Sequence, residues 1–230
     1  IPVGYTPDVL NDCVADLAFG LLIDIGRRLT EGDRFVRAGR WETAAAVGAP
    51  GGFPLARKIS GARLGIVGLG RIGQQIARRA SGFSMELRYH SRRPVEGVPY
   101  QHAPDLQALA RWADYLVVIT AGGAATRHLI NGAVLDALGP RGFLVNVSRG
   151  TVVDEQALLR ALQDKRIAGA ALDVFEHEPK VPRELFALDN VVLVPHIASA
   201  TEETRQAMAD RVVDNLDAFF ASGKLISPAA

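Results

Sequence analysis

The stretch "GIVGLGRIGQQIA" constrains the fold of this chain more than any other. It carries Gly68-x-Gly70-x-x-Gly73, directly after the apolar run "ARLGIVG" and at the start of the helical pattern "RIGQQIARRA". Glycines at this spacing are common in turns, and only a strand before and a helix after give them a mechanism. Gly68 permits the tight turn, Gly70 lets a pyrophosphate approach the backbone, and Gly73 lets the helix pack closely on the strand. The helix N-terminus then offers free N–H groups and the positive end of its dipole to the phosphates. The expectation is a dinucleotide-binding turn. The ordinary alternative is a glycine-rich turn with no ligand.

The rest of the chain keeps the same rhythm. After the glycine turn come the strand "MELRYH", the helix "DLQALARWA" and the strand "DYLVVIT", then the helix "NGAVLDALG" and the strand "GFLVNVS". The helix "DEQALLRALQDK", the strands "IAGAALDV" and "NVVLVP", and a long helix over residues 201–221 complete it. Six apolar strands alternating with helices predict an α/β fold, a doubly wound parallel sheet of the Rossmann type joined by right-handed crossovers. Upstream, Val14, Leu17, Leu21, Leu22, Ile25 and Leu29 recur at helical spacing, which predicts one long helix over residues 8–29. Glycine and proline then punctuate residues 39–61, the mark of a surface excursion.

Composition narrows the function. A formal net charge of +1 over 230 residues argues against a nucleic-acid binder, which needs a clustered basic field. The single cysteine, Cys13, cannot form an internal disulfide, and no Cys/His spacing suggests a metal site. Its ordinary reading is a small buried residue on a helix. No apolar run approaches the length of a membrane span, so a soluble cytoplasmic protein is expected. The chain opens on "IPVGYTP" with no methionine, which reads as the tail of a strand in a fragment or processed product.

The end of the second strand is unusual. NAD-binding proteins place an Asp or Glu there, about 20 residues after the motif, for the ribose hydroxyls. This chain has "YHSRRP" instead. A carboxylate would repel a 2′-phosphate, whereas Ser91 can hydrogen-bond it and Arg92 and Arg93 can pair with it in charge-assisted contacts. That pattern predicts NADPH/NADP, with NAD less favoured. The ordinary alternative is a solvated basic turn.

In open parallel sheets, ligands bind beyond the carboxyl ends of the strands. Arg149 follows the fourth predicted strand, Asp173 ends the fifth with Glu178 just beyond, and His196 follows the sixth. Singly, each has a structural reading as a surface ion pair or a solvated turn. Together, beside a cofactor turn, they suit hydride chemistry. Arg149 would clamp a substrate carboxylate and carbonyl oxygen. His196 would protonate the carbonyl oxygen, and Glu178 would orient the imidazole and favour its charged form.

With these residues in view, the chain resembles the D-isomer-specific 2-hydroxyacid dehydrogenase family over nearly its full length. The resemblance rests on "NDCVADLAFGLL", "GLGRIGQ", "VNVSRGTVVDEQAL", "AALDVFEHEP" and "LVPHIASAT". It is most like the glyoxylate/hydroxypyruvate reductases and the related hydroxyphenylpyruvate reductases. It implies Arg149, Glu178 and His196 as catalytic residues and Asp173 as the acid on the nicotinamide amide. Arg71, Ile72, Val147 and Thr126 join the cofactor site by the same resemblance. Several branches carry "SR" at the second strand and prefer NADPH.

The implied reaction is NADPH-dependent reduction of a small 2-oxo acid, glyoxylate or hydroxypyruvate, to the D-2-hydroxy acid. The implied assembly is a homodimer, with Phe35, Trp41 and Phe53 suited to an interface or to packing on their own chain. A nucleotide-sensing, protein-binding scaffold of the same fold is the alternative. Two departures stand out. The family's "PLTxxT" is replaced by "TAGGAAT" over residues 120–126. The resemblance also implies that most of the second, substrate domain is absent from this chain. It leaves residues 6–197 as the dinucleotide-binding domain and residues 1–5 and 198–230 as remnants of the substrate domain and interdomain helix. Such a chain should bind cofactor but turn over poorly.

Overall fold

A computed structural model describes residues 2–229. Its centre is one sheet of seven parallel strands: β1 (Arg63–Val67), β2 (Glu86–His90), β3 (Gln101–His102), β4 (Tyr115–Val118), β5 (Phe143–Asn146), β6 (Gly169–Leu172) and β7 (Val191–Leu193). Their order is β3-β2-β1-β4-β5-β6-β7. The order reverses between β1 and β4, and a crevice opens beyond the carboxyl ends of the strands at such a point.

The helices are α1 (Asn11–Arg27), α2 (Leu29–Arg37), α3 (Arg71–Ser81), α4 (Leu106–Trp112), α5 (Gly132–Leu138), α6 (Glu155–Gln163) and α7 (Glu202–Ser222). Period-two alternation along the strands builds two cores. Leu64, Ile66, Val117, Val145 and Ala171 pack with α1 and α3 on one face. Leu116, Val118, Leu144, Ala170 and Leu172 pack with α4, α5 and α6 on the other. Both faces are covered, so the strands read as continuous apolar runs.

The expected sheet is present, with two local differences. Six strands were expected, and β3 is a seventh. It holds only two residues, pairing Arg88 with Gln101 and Tyr89 with His102, too few to show any periodicity. The helix expected over residues 8–29 begins at Asn11 and ends at Arg27, and the next residue, Arg28, caps it in the left-handed conformation with φ 58°. The Asp24 carboxylate accepts the Thr30 N–H at 2.8 Å, supplying an acceptor outside the helical ladder and starting α2 in a new direction. Leu29, which extended the apolar pattern, is exposed.

Phe35, on α2, is buried and meets Phe53, in the excursion that follows, edge-on at 5.3 Å, so these two rings pack on their own chain. Trp41 stands exposed. Cys13 sits half-buried on α1 with its Sγ 2.9 Å from the Ala198 carbonyl. Among the described residues no helix is long and apolar enough to cross a membrane.

One core residue breaks the rule that buried polar atoms are paired. Tyr115 stacks on Phe143 at 5.2 Å, is 1% exposed, and its hydroxyl has no partner among the described residues. Burial pushes its pKa up to about 12. Deleting an unsatisfied buried hydroxyl removes a desolvation cost of about 1 kcal/mol. Tyr115→Phe should therefore raise the melting temperature by about 2–4 °C, the usual shift for a chain of this size. Calorimetry checks this, and a lower melting temperature would mean that the hydroxyl has a partner in solution.

Candidate active site

The glycine turn leaves β1 at Gly68, whose φ is +102° and whose N–H donates to the His90 carbonyl at 2.8 Å. A Cβ there would lie 2.9 Å from the Thr120 backbone. At Gly73, on the first turn of α3, a Cβ would lie 2.2 Å from the Gly68 carbonyl oxygen. Both glycines are thus required by close backbone approach. Gly70 differs, because nothing stands within 4 Å of where its Cβ would be. It faces a cleft of about 480 Å³ lined by Gly70, Arg71, Ile72, Gly73, Val147, Arg149, Asp173 and His196, among others. Eight residues singled out from the sequence therefore converge on one cleft at the switch point of the sheet.

The remaining ones stand around it. Glu178 lies behind His196, its Oε2 2.7 Å from the ring Nδ1. Ser91, Arg92 and Arg93 follow β2, which pairs in register with β1 up to Val67 and His90. Arg92 and Arg93 are exposed and form no ion pair among the described residues. The Ser91 hydroxyl donates to the Arg93 carbonyl at 2.6 Å, so it must rotate before it can donate to a ligand. The Thr126 hydroxyl donates to the Ala121 carbonyl at 2.7 Å and so holds the 120–126 loop in shape. Arg71 makes an exposed ion pair with Asp8 at 3.2 Å.

His196 is held by two acids. Its backbone has φ 54°, a left-handed conformation that few residues other than glycine adopt. Asp173, wholly buried, accepts the next two amides, from Ile197 at 2.6 Å and from Ala198 at 3.1 Å, and thereby pins the turn. Burial nevertheless raises the Asp173 pKa, against the lowering effect of those two amides and of His196. Strain of this kind persists only where the surroundings over-determine it, and it concentrates at functional sites. Glu178 holds the ring from the side, and its second oxygen accepts the Phe175 N–H at 2.9 Å. Burial alone would raise the Glu178 pKa. The hydrogen bonds from His196 and the Phe175 amide, with the charges of His196 and Arg149, hold it below the ordinary carboxylate range.

Other residues build the site without having stood out in the sequence. Asn146, buried at the end of β5, accepts the Ser148 N–H at 3.1 Å and hydroxyl at 2.7 Å, and its amide donates to the Arg149 carbonyl at 3.3 Å. This shapes the turn that presents Arg149. The only signal in the sequence was a polar residue inside the apolar run "FLVNV". Glu176 takes hydrogen bonds from Arg127 at 2.8 Å and His128 at 3.0 Å, and its own N–H donates to the buried Glu155. That network ties the loop after β4 to the loop after β6, and pairing across loops has no local signature.

The site has known counterparts. A family model for "D-isomer specific 2-hydroxyacid dehydrogenase, NAD binding domain" matches residues 19–198. The glyoxylate/hydroxypyruvate reductase A of Arabidopsis thaliana is 51% identical over 228 residues, which is 99% of this chain and 71% of that protein. The hydroxyphenylpyruvate reductase of Plectranthus scutellarioides is 48% identical with the same coverage. Among solved structures, the NADPH-dependent glyoxylate/hydroxypyruvate reductase of Sinorhizobium meliloti, in complex with NADP and malonate, superposes with a TM-score of 0.93. It is 48% identical, and the match covers 100% of this chain and 70% of that one. A parallel sheet with this cleft, this family model and relatives at such identity lead to one conclusion: the chain belongs to the D-isomer specific 2-hydroxyacid dehydrogenase family.

Proposed function

We propose that the protein reduces a small 2-oxo acid, of the glyoxylate or hydroxypyruvate kind, to the D-2-hydroxy acid with NADPH. The observation that carries this reading is the bond between His196 and Glu178 on the cleft that also holds Arg149 and the glycine turn. The residues suit the cofactor. Gly70 leaves open space where a pyrophosphate would lie against the N-terminus of α3, and Arg92 and Arg93 stand without an acidic partner among the described residues. Bound there, NADPH supplies the hydride.

The chain's own groups would do the rest. The Arg149 guanidinium would take the substrate carboxylate and polarise the carbonyl. The proton would come from His196 Nε2, since Nδ1 faces Glu178. Glu178 would hold the ring in that orientation and compensate its charge.

The decisive experiment uses the full-length protein, with its substrate-binding lobe, and follows absorbance of the reduced nicotinamide with glyoxylate and hydroxypyruvate, comparing NADPH with NADH. Oxidation with preference for NADPH is expected. Tight cofactor binding without turnover on any 2-oxo acid would favour the nucleotide-sensing scaffold.

Glu178 gives this reading a pH signature. A carboxylate whose folded pKa is lowered contributes its stabilisation above the unfolded pKa and loses it as pH falls through the folded one. The His196–Glu178 pair should therefore survive through the ordinary carboxylate range and break only below it. Turnover of the parent should fall on the acid side at that point, and Glu178→Gln should be slower and lack that limb. Superimposable rate–pH profiles would remove Glu178 from the mechanism.

We also propose the assembly around this unit. Residues 6–197 would form the cofactor-binding domain, and the two terminal segments would join it to a substrate-binding lobe. Ile1 and Ala230, at the ends of those segments, lie outside the described residues. Supporting this, the Tyr5 N–H donates to the Ser227 carbonyl at 3.0 Å, the Ala229 N–H donates to the Val3 carbonyl at 2.7 Å, and α7 leaves Val212, Val213, Leu216 and Phe220 exposed. Exposed Val36, Trp41, Val47 and Leu55 on and beyond α2 suit a homodimer contact. We place the reaction in the cytoplasm, where a reductive enzyme draws on NADPH.

A further inference from the structure

The turn that carries Arg92 and Arg93 is braced by a strand that the periodicity of the sequence did not reveal. β3 lies at the sheet edge, and its two residues pair only with β2. The two strands are joined beyond their last residues by a reciprocal pair of histidines. His90, the last residue of β2, places Nδ1 2.9 Å from the carbonyl of Ala103, which follows β3. His102, the last residue of β3, places Nε2 3.0 Å from the carbonyl of Ser91, which follows β2. A carbonyl only accepts, so each facing ring nitrogen carries the proton. The Ala103 N–H donates to the Tyr89 carbonyl at 2.7 Å between them.

The far end of the turn is tied as well. The Val95 N–H donates to the Tyr89 hydroxyl at 2.8 Å, and the Tyr89 ring lies 5.2 Å from the ring of His102. Inside the turn, Ser91 Oγ bonds the Arg93 carbonyl. Residues 91–95 are therefore fastened at the first carbonyl, in the middle and at the last amide, while both arginine side chains remain exposed. A turn ordered before binding loses less freedom when its ligand arrives.

We propose that His102 is a positioning residue for cofactor choice, acting through Ser91 to hold Arg92 and Arg93 where a 2′-phosphate is read. The inference rests on the NADPH reading above. It is tested by titration calorimetry on the full chain, with adenosine 2′,5′-bisphosphate and adenosine 5′-monophosphate as probes that differ only in the 2′-phosphate. His102→Phe keeps a ring against Tyr89 and loses the donor, whereas His102→Gln restores an N–H.

Loss of a hydrogen bond of about 1 kcal/mol predicts roughly fivefold weaker binding of the bisphosphate to His102→Phe. The monophosphate should change by less than about twofold, because no contact to the 2′ position is lost with it. His102→Gln should recover most of the difference. Equal weakening of both probes, or an unchanged ratio, would overturn the role of His102 and leave the NADPH reading intact. A parent chain that shows no preference for the bisphosphate would overturn both. Should His102→Phe fail to fold, His90→Phe cuts the other half of the pair and is read on the same two probes with the same criteria.

Discussion

Replacing His196 by asparagine should lower turnover of a 2-oxo acid by about 10²–10⁴-fold, the usual contribution of a positioned general acid. Asparagine is the informative choice. His196 sits at φ 54°, and alanine there would add backbone strain to the loss of the imidazole. Asparagine is several-fold enriched in the left-handed region. Asp173 would still hold the amides of Ile197 and Ala198, so the turn should survive. The side chain of His196 is 47% exposed, so its removal opens no cavity. Cofactor affinity should therefore stay within about twofold, since an interaction made only in the transition state lowers turnover without weakening ground-state binding. Stopped-flow turnover and equilibrium titration of NADPH separate the two quantities. Parallel loss of both would mean a structural or binding role for His196.

The second large effect is on cofactor choice. Arg92→Asp should move the NADPH-to-NADH ratio of kcat/KM by roughly 30–100-fold toward NADH. This follows from losing a charge-assisted hydrogen bond of about 1.5–3 kcal/mol and placing a repulsive carboxylate near the 2′ position. Arg92 is exposed and has no ion pair among the described residues, so the substitution breaks no native contact. NADH turnover should persist or rise, which distinguishes a specificity effect from damage. An unchanged ratio would reduce "HSRR" to a solvated basic turn and take the proposed role of His102 with it.

Much of the fold was legible because it is built from local periodicities. Every strand long enough to show an apolar run was placed within a few residues, and so was every helix from α3 onward. The failures have physical causes. β3 is held by side-chain bonds between two histidines and the backbone, and two residues cannot carry a period. The break after α1 depends on Asp24 capturing the Thr30 amide, a contact that a continuous apolar stripe conceals.

By itself the sequence determined the order of strands and helices, the glycine turn between β1 and α3, and the charge at the end of β2. Each of these is written within about ten neighbouring residues, where spacing and residue type are sufficient. The tertiary structure decided which chemistry-bearing side chains meet. Arg149, Asp173 and His196 follow three different strands, and parallel pairing in register brings those strand ends to one edge of the sheet. Only there does the Glu178 carboxylate come to 2.7 Å from the His196 ring, and only there does Asp173 fasten the turn that presents it. Hydrogen bonds across loops depend on where the backbone places their partners, and that placement follows from the sheet as a whole.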